Sequence, residues 1–483
     1  MSTGNRLRDF TRVAFHLGNN WISLAGTVLT TGSAFTMVWF WVMEATSPRP
    51  VNPYVGILLF LLLPGIFVVG LTCIPLGMYF RRKKLRKAGT LPNEYPKVDL
   101  ATPSVRNAVF MVGIATALNI VLMGNASIKG VEYMDSTQFC GQTCHVPMQP
   151  EFTAFMDSPH SRVGCAQCHI GPGAGWFVKS KLSGTRQLFA VAFNTFQRPI
   201  PSPVEHLRPA RETCEQCHWP QKFHGDKMLV RTKYAEDEAN TASSTVLLLK
   251  IGGTTWQGRA GIHGRHLDAG ERISYISTDG RRQEIPKVIY RDDNGKTVEY
   301  ISDDIKKVPA DQLAKLPLRK MDCVDCHNRP THAFQMPDRA LDKAITEGRI
   351  SAALPFVKKI GLELLKKEYS SRDAAAAQIP VDLADFYKNK YPDAFQQKRG
   401  QVDAAGQAVK AIYLRNIFPE MKITWGTHPN HIGHEESTGC FRCHDGAHKS
   451  ADGKIIEADC STCHTILAQD EKDPKILKDL GAR

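Results

Sequence analysis

Twelve of the thirteen cysteines in this 483-residue chain fall into six pairs, and a histidine follows directly after each pair. The six groups are Cys140/Cys144/His145, Cys165/Cys168/His169, Cys214/Cys217/His218, Cys323/Cys326/His327, Cys440/Cys443/His444 and Cys460/Cys463/His464. Two thiols that bond one porphyrin, followed by a histidine that ligates its iron, are the chemistry of covalent c-type haem attachment. A zinc ribbon also pairs cysteines, but it has no need of a histidine after every second one, and disulfides need none. The repeated triplet therefore predicts six haems c. The thirteenth cysteine, Cys73, lies in an apolar stretch and reads as a small buried hydrophobe.

Each iron also needs a second axial ligand, and eleven of the seventeen histidines lie outside the motifs. The first site, FCGQTCHVPM at 139–148, has three residues between its cysteines instead of two and a methionine three residues after its histidine. Met148 is a candidate soft axial ligand there, with a core methionine as the plain alternative. His160 precedes the second motif in SPHSRVGCAQCHIG, and His224 follows the third in RETCEQCHWPQKFHGD. The segment GIHGRH sets His263 and His266 three apart; either reaches a haem, the alternative being a metal ion held by the pair. His332, five residues past His327, is too close in sequence to share that iron and is expected to ligate a neighbouring one. Near the carboxy terminus His428, His431, His434 and His448 surround two motifs; His434 and His448 are the favoured ligands, with His431 in reserve.

The elements that carry these sites begin with three apolar segments, 21–43, 54–80 and 107–124, of which the last is at the short limit for a bilayer span. Arg6, Arg8 and Arg12 precede the first, RRKKLRK follows the second, and the loop between those two holds only Arg49. By the positive-inside rule the amino terminus and the RRKKLRK loop are cytoplasmic, so a third span delivers everything from about residue 125 to the other side. No short apolar region with a small-residue cleavage site opens the chain, and uncleaved anchors are expected.

Between His224 and Cys323 the stretches 246–251, 273–277, 283–290 and 297–301 are rich in β-branched and aromatic residues and are separated by Asp-Gly and Asn-Gly turn signals. They predict a small antiparallel sheet. Residues 337–418 lack cysteine and read as amphipathic helix. Within 350–369, Ile350, Leu354, Val357, Ile360, Leu364 and Leu365 share one face, and Pro355 places the regular helix after it. The expected fold is mainly α: a three-helix membrane anchor and an extracytoplasmic multihaem domain of low regular structure, with a small antiparallel β insertion and a helical segment. The expected divisions are 1–124 for the anchor, 125–235 for haems one to three and 236–320 for the β-rich insertion. Residues 321–420 would hold the fourth haem and the helical segment, and 421–483 a carboxy-terminal dihaem segment.

The formal net charge of +13 invites a nucleic-acid reading, but the basic residues form no stripe. Six haems bring roughly twelve propionates, which nearly cancel the excess. No nucleic-acid partner is expected.

An anchor, then a haem motif with a nearby methionine, then closely spaced CxxCH sites resemble the NapC/NirT family of membrane-anchored quinol-oxidising cytochromes, over roughly residues 107–224. The three anchor helices and the later motifs also resemble the inner-membrane multihaem quinol oxidases of metal-respiring bacteria. The resemblance implies a first haem beside a quinol pocket at the membrane surface, fed by the menaquinol or ubiquinol pool. The other haems would serve periplasmic c-type cytochromes or a terminal reductase. It also implies a pocket lysine and carboxylate after the second motif. The matching stretch, GWFVKSKLSGTRQ, offers Lys179 or Lys181 but no acid, so Glu151 and Asp157 are the substitute carboxylates. Lysines meeting lipid headgroups are the alternative reading. Two other functions compete: a terminal reductase of nitrite, hydroxylamine or sulfite, for which no CxxCK motif is present, and a non-catalytic subunit that wires electrons in a larger complex. The implied location is the bacterial inner membrane, multi-pass, with the haem domain in the periplasm.

Overall fold

The computed structural model describes residues 16–46, 63–92, 101, 103–171, 174–204, 208–219, 225–255, 258–259, 261–267, 272–292, 294–303, 308–313 and 315–481. Two compact units divide the chain, Met1–Thr143 and Cys144–Arg483.

The first unit contains the helices α1 (Trp21–Thr46), α2 (Leu63–Lys87) and α3 (Pro103–Met134), then a π-helical turn at Phe139–Thr143. The seam between α1 and α2 is built from small and hydroxylated residues. A Cβ added to Gly70 would lie 2.5 Å from Thr30 Oγ1, and one added to Gly77 would lie 2.5 Å from Ser23 Oγ. Glycine is what lets the backbones approach this closely. Ser23 Oγ donates to Ile74 O at 2.8 Å across the seam, and Thr30 Oγ1 donates to Gly26 O at 2.8 Å within its own helix. Ser23, Thr30 and Ser33 are buried, while Trp21, Val28, Phe35 and Trp39 face outward. A helix in water shows the reverse pattern, and so wide an apolar exterior suits a lipid surrounding.

Two helices among the described residues are long and apolar enough to cross a bilayer, over Trp21–Trp39 and Leu63–Lys87. The expected second span is thus described from Leu63 onward, while 54–62 lie outside the described residues, as do Arg6, Arg8, Arg12 and Arg49. The expected third span falls within α3, which extends beyond the apolar stretch at both ends; Pro103 stands at its first position, where a missing N–H costs no helical hydrogen bond.

The second unit opens with α4 (His145–Met156), α5 (Ala174–Ala192) and the short α6 (Gly261–His266). Its main core lies among α7 (Pro337–Thr346), α8 (Val357–Lys366), α9 (Arg372–Lys390) and α10 (Arg399–Asn416). Leu341, Leu354, Val357, Leu365, Ile379 and Val409 are wholly or almost wholly buried there. Ile350 and Leu354 are buried as their spacing predicted, yet both precede the regular helix, which begins at Val357 after Phe356 takes a positive φ of 56°. Lys358 is buried in this core and is neutralised by Asp342 at 2.6 Å and Asp338 at 2.8 Å.

The strands are β1 (Lys227–Tyr234), β2 (Ala242–Leu249), β3 (Thr254–Thr255), β4 (Gly258–Arg259), β5 (Ile273–Ile276), β6 (Lys287–Arg291), β7 (Thr297–Ser302), β8 (Arg319–Lys320), β9 (His448–Lys449) and β10 (His464–Glu471). They form antiparallel sheets in the orders β1-β2-β10 and β8-β5-β6-β7-β9, plus the two-strand ladder β3-β4. β6 starts at Lys287, later than the expected 283, because Pro286 has no N–H to give a ladder. The β-rich stretch does not close on itself. β9 and β10 come from the carboxy-terminal segment, so both larger sheets bind residues beside the fifth and sixth cysteine motifs.

Candidate functional site

The cysteine motifs fold as short helical turns, and the fourth and sixth adjoin strands. β8 leads into the Cys323–Cys326 turn, whose Asp322 caps it by accepting from Cys323 N at 2.6 Å. Between those two cysteines, Asp325 is almost fully buried. Its Oδ1 accepts from Tyr275 OH at 2.7 Å, Arg282 Nη1 at 2.9 Å and Arg319 Nε at 2.7 Å, and its Oδ2 accepts from Asp322 N at 2.7 Å. The sixth motif runs straight into β10 and is tied down by Lys250 N donating to Cys463 O at 2.9 Å. Among the described residues the paired cysteines close no disulfides. Burial pushes the thiol of Cys326 up to about 11 and that of Cys443 up to about 12.

The two members of a pair are not held alike. Cys217, expected to anchor a haem as an equal partner of Cys214, differs from it in its surroundings: Cys214 is half-buried, whereas Cys217 is exposed. The reason is local. The helix Ala210–Cys214 stops at its cap Glu215, and Cys217 lies beyond it in a turn whose N donates to Cys214 O at 3.1 Å. The protein therefore sets the backbone of Cys217 but does not enclose its thiol, and a thioether there would lie at an exposed haem edge. Cys168 and Cys460 are likewise the exposed members of their pairs, beside half-buried Cys165 and Cys463.

Among the described residues of this unit, five pairs of histidine rings face one another. His160 lies 6.0 Å from His218, His169 lies 6.2 Å from His332, and His263 lies 6.3 Å from His327 between ring centres. His266 is 5.8 Å from His444, and His434 is 6.2 Å from His464. Every pair unites one motif histidine with one from outside the motifs, and none is used twice. Ordinary ring packing spans the same distances, so the spacing alone does not decide their chemistry. The selectivity of the pairing does, together with the outer nitrogens.

In three of these pairs, four rings donate Nδ1 to a backbone carbonyl: His263 to Ile251 at 2.5 Å, His266 to Ile262 at 2.8 Å, His332 to Glu151 at 2.9 Å and His444 to Glu457 at 2.6 Å. That bond fixes the tautomer and leaves Nε2 as the lone-pair nitrogen, which is how metal-binding histidines are oriented. Burial lowers His266, His327 and His332, and so favours the neutral ring that a metal requires. With about 2 Å from metal to imidazole nitrogen and roughly 1 Å more to the ring centre, two imidazoles across one iron stand roughly 6 Å apart. The residues fit a haem with two histidine ligands at five motifs.

Several candidates stand elsewhere. His448 is fully buried, with Nδ1 on Asp445 Oδ1 at 2.9 Å and Nε2 on Ile285 O at 2.8 Å, so both nitrogens already face protein acceptors. His431 gives Nδ1 to Asp325 O at 3.1 Å and sets Nε2 beside Gln283. His224 and the His145 side chain lie outside the described residues. Met148 is half-buried in α4, one turn after His145, and its N donates to Cys144 O at 3.1 Å. His266 was only an alternative to His263 in the sequence. Its signal was the three-residue spacing that sets both on one helical turn.

The four expected pocket residues have separate surroundings. Glu151 is clasped by Arg329 Nη2, which donates to its two oxygens at 2.8 and 2.6 Å. Burial pushes this carboxyl up, but Arg329 and His332 outweigh it and hold the group below the usual carboxylate range. Asp157, at the end of α4, pairs with Arg415 Nε at 2.6 Å. Lys179 lies 4.6 Å over the Trp176 ring on α5, and Lys181 is half-buried on the same helix. A cationic cleft lined by Arg281, Arg282, Arg329, His428 and His431 lies beside the fourth motif. Burial, and then Arg329, push His428 down to about 4, and its buried Nε2 has no hydrogen-bond partner among the described residues.

Comparison with known proteins agrees with these motifs. Residues 102–200 match the model of the NapC/NirT cytochrome c family, N-terminal region. The chain is 42% identical to "Cytochrome c-type protein ImcH" of Geobacter sulfurreducens over 453 residues, which cover 93% of this chain and 88% of that protein. No solved structure matches. The chain belongs to the NapC/NirT-type membrane multihaem cytochromes c, and haem c is its cofactor.

Proposed function

We propose that this member of the NapC/NirT family is a quinol dehydrogenase of the bacterial inner membrane. It would take electrons from menaquinol or ubiquinol and deliver them, by way of six haems c, to periplasmic c-type cytochromes or a terminal reductase. Haem c supplies the one-electron chemistry, while the chain supplies attachment, axial ligands and electrostatic tuning. α3 is read as a third span, with the amino terminus in the cytoplasm and the second unit in the periplasm.

The observation that carries this reading is the set of five imidazole pairs. An iron ligated on both sides by protein moves electrons but has no place for a substrate, which favours a conduit over a reductase of nitrite, hydroxylamine or sulfite. The site at Cys140/Cys144/His145 has a different set of neighbours. His145 and Met148 fall one turn apart on α4 and thus share one helix face. They are alternatives for one side of an iron, and that difference supports a specialised entry site beside the quinol.

For proton release the chain's own groups divide. Glu151, already ionised and locked to Arg329, is poorly suited to collect a proton from quinol at neutral pH. Asp157, Lys179 and Lys181 remain the candidates. Purified, haem-loaded protein in detergent should be reduced by menaquinol or ubiquinol analogues. A preparation that dithionite reduces and neither quinol does would overturn the reading, and nitrite turnover by the isolated chain would favour the reductase.

A further inference from the structure

The six-residue helix α6 carries two of the five ring pairs, and the pairs lead to different motifs. His263 faces His327 at 6.3 Å with the rings 7° from parallel, whereas His266 faces His444 at 5.8 Å. Residues three apart share one side of a helical turn, which ordinarily suggests a single bound metal. Here each ring instead addresses the histidine of its own cysteine motif. The turn is seated firmly: Ile262 N donates to Lys250 O at 2.8 Å and Gly264 N to Gly252 O at 2.9 Å. At Gly261, with φ +61°, an added Cβ would collide with Lys250 O.

A second observation, independent of the rings, brings the same two motifs together. Arg442, between Cys440 and Cys443, donates Nη2 to Asp325 O at 2.6 Å, inside the Cys323–Cys326 turn. Its Nη1 donates to Arg282 O at 2.8 Å. The fourth and fifth motifs are therefore joined by a buried arginine, and α6 faces the motif histidine of each.

The geometry points to α6 as a staple across two cofactors, with His263 the distal ligand of the haem attached at Cys323/Cys326 and His266 that of the haem attached at Cys440/Cys443. The inference rests on the haem c chemistry of the chain and not on its reacting with quinol. A failure of quinol reduction with the ligation intact would leave it standing.

His263→Met and His266→Met in the full-length, haem-loaded protein test it. Each variant should convert one histidine–histidine haem to histidine–methionine. The expected signals are one equivalent of the near-infrared methionine-to-iron band and one haem raised in potential, as methionine ligation does. The double variant should show two equivalents. Should methionine not be accepted, His263→Ala and His266→Ala each should leave one high-spin haem that added imidazole returns to low spin. Spectra unchanged from wild type in either position would overturn the assignment, as would a double variant with no more altered haem than a single one. The latter result would mean that both histidines serve one iron.

Discussion

Replacing Glu151 by Gln separates a structural role from a proton-handling one. In the wild type both carboxylate oxygens accept from Arg329 Nη2, and the two side chains are only 16% and 7% exposed. Removing one partner of a buried ion pair costs about 3–5 kcal/mol. Gln keeps one acceptor, and Arg329 retains His332 O at 2.7 Å and Ser202 Oγ at 3.2 Å, which places the loss at the lower end, about 3 kcal/mol. Guanidinium unfolding of the haem-loaded protein at pH 7, followed in the Soret band, measures it. The pH dependence supplies the check. Glu151 titrates lower when folded than its unfolded value of about 4.3. Its stabilisation is thus fully present above the unfolded value and is lost as pH falls through the folded one. Gln does not titrate, so the gap between the two proteins should close in acid. Reduction by quinol at pH 7 should persist in the variant. Equal stability at pH 7, a gap that widens toward pH 4, or abolished quinol reduction in a fully loaded variant would refute the reasoning.

Other changes probe other parts of the chain. His448→Gln should cost about 1–3 kcal/mol, because buried acceptors at Asp445 and Ile285 lose a donor. It should leave every low-spin haem signal unchanged, and a new high-spin haem would instead make His448 a ligand. Asp325→Ala should destabilise the second unit by about 3–5 kcal/mol by leaving Arg282 and Arg319 uncompensated, and denaturant titration reads it directly. Gly70→Leu should overpack the seam of α1 and α2 at a cost of about 1–3 kcal/mol, seen as a lower melting temperature in detergent, whereas Leu71→Ala on the outer face should have little effect.

What was legible in the sequence was local. A cysteine motif is complete within five or six residues, and the apolar face of 350–365 repeats at helical spacing. What was not legible joins distant residues. A haem has two faces, and the chain reaches the second face from whichever segment packs there. His332 therefore meets His169, His160 meets His218, and His266 meets His444. No local pattern marks that His434 faces the His464 ring while His448 is buried against Asp445 and Ile285, since both lie within a few residues of the fifth motif. The spacing of Cys214 and Cys217 likewise says nothing of which thiol the fold covers, because the cover on Cys214 comes from the fourth motif more than a hundred residues away. The strands β9 and β10 were equally hidden: one is two residues long, and the other begins at a motif histidine already assigned to another task. In the first unit, hydropathy shows the outward apolar residues but not the Ser23–Gly26–Thr30 seam. That seam matters only once Gly70 and Gly77 lie against it.

The residues inside and just before the cysteine motifs give the clearest account of how neighbouring sites are ordered. A CxxCH motif leaves two positions open, and in the fourth and fifth motifs one of them binds another motif or the sheet. Arg442 of the fifth motif reaches Asp325 O in the fourth. Asp325 itself gathers Tyr275, Arg282 and Arg319 from the β-sheet and its approaches. Just ahead of the fourth motif, Asp322 Oδ2 accepts from Ala210 N at 3.1 Å, the residue that opens the helical turn of the third. The Cys214 and Cys323 thiols lie within hydrogen-bonding reach of each other. Each contact is made by protein alone, and together they order the third, fourth and fifth motifs side by side as they are ordered along the chain. Arg442 and Asp325 are thus buried charged groups placed between two motifs, and redox titration should find the potentials of both sites shifted when either is replaced. A substitution between two cysteines should be felt at two haems.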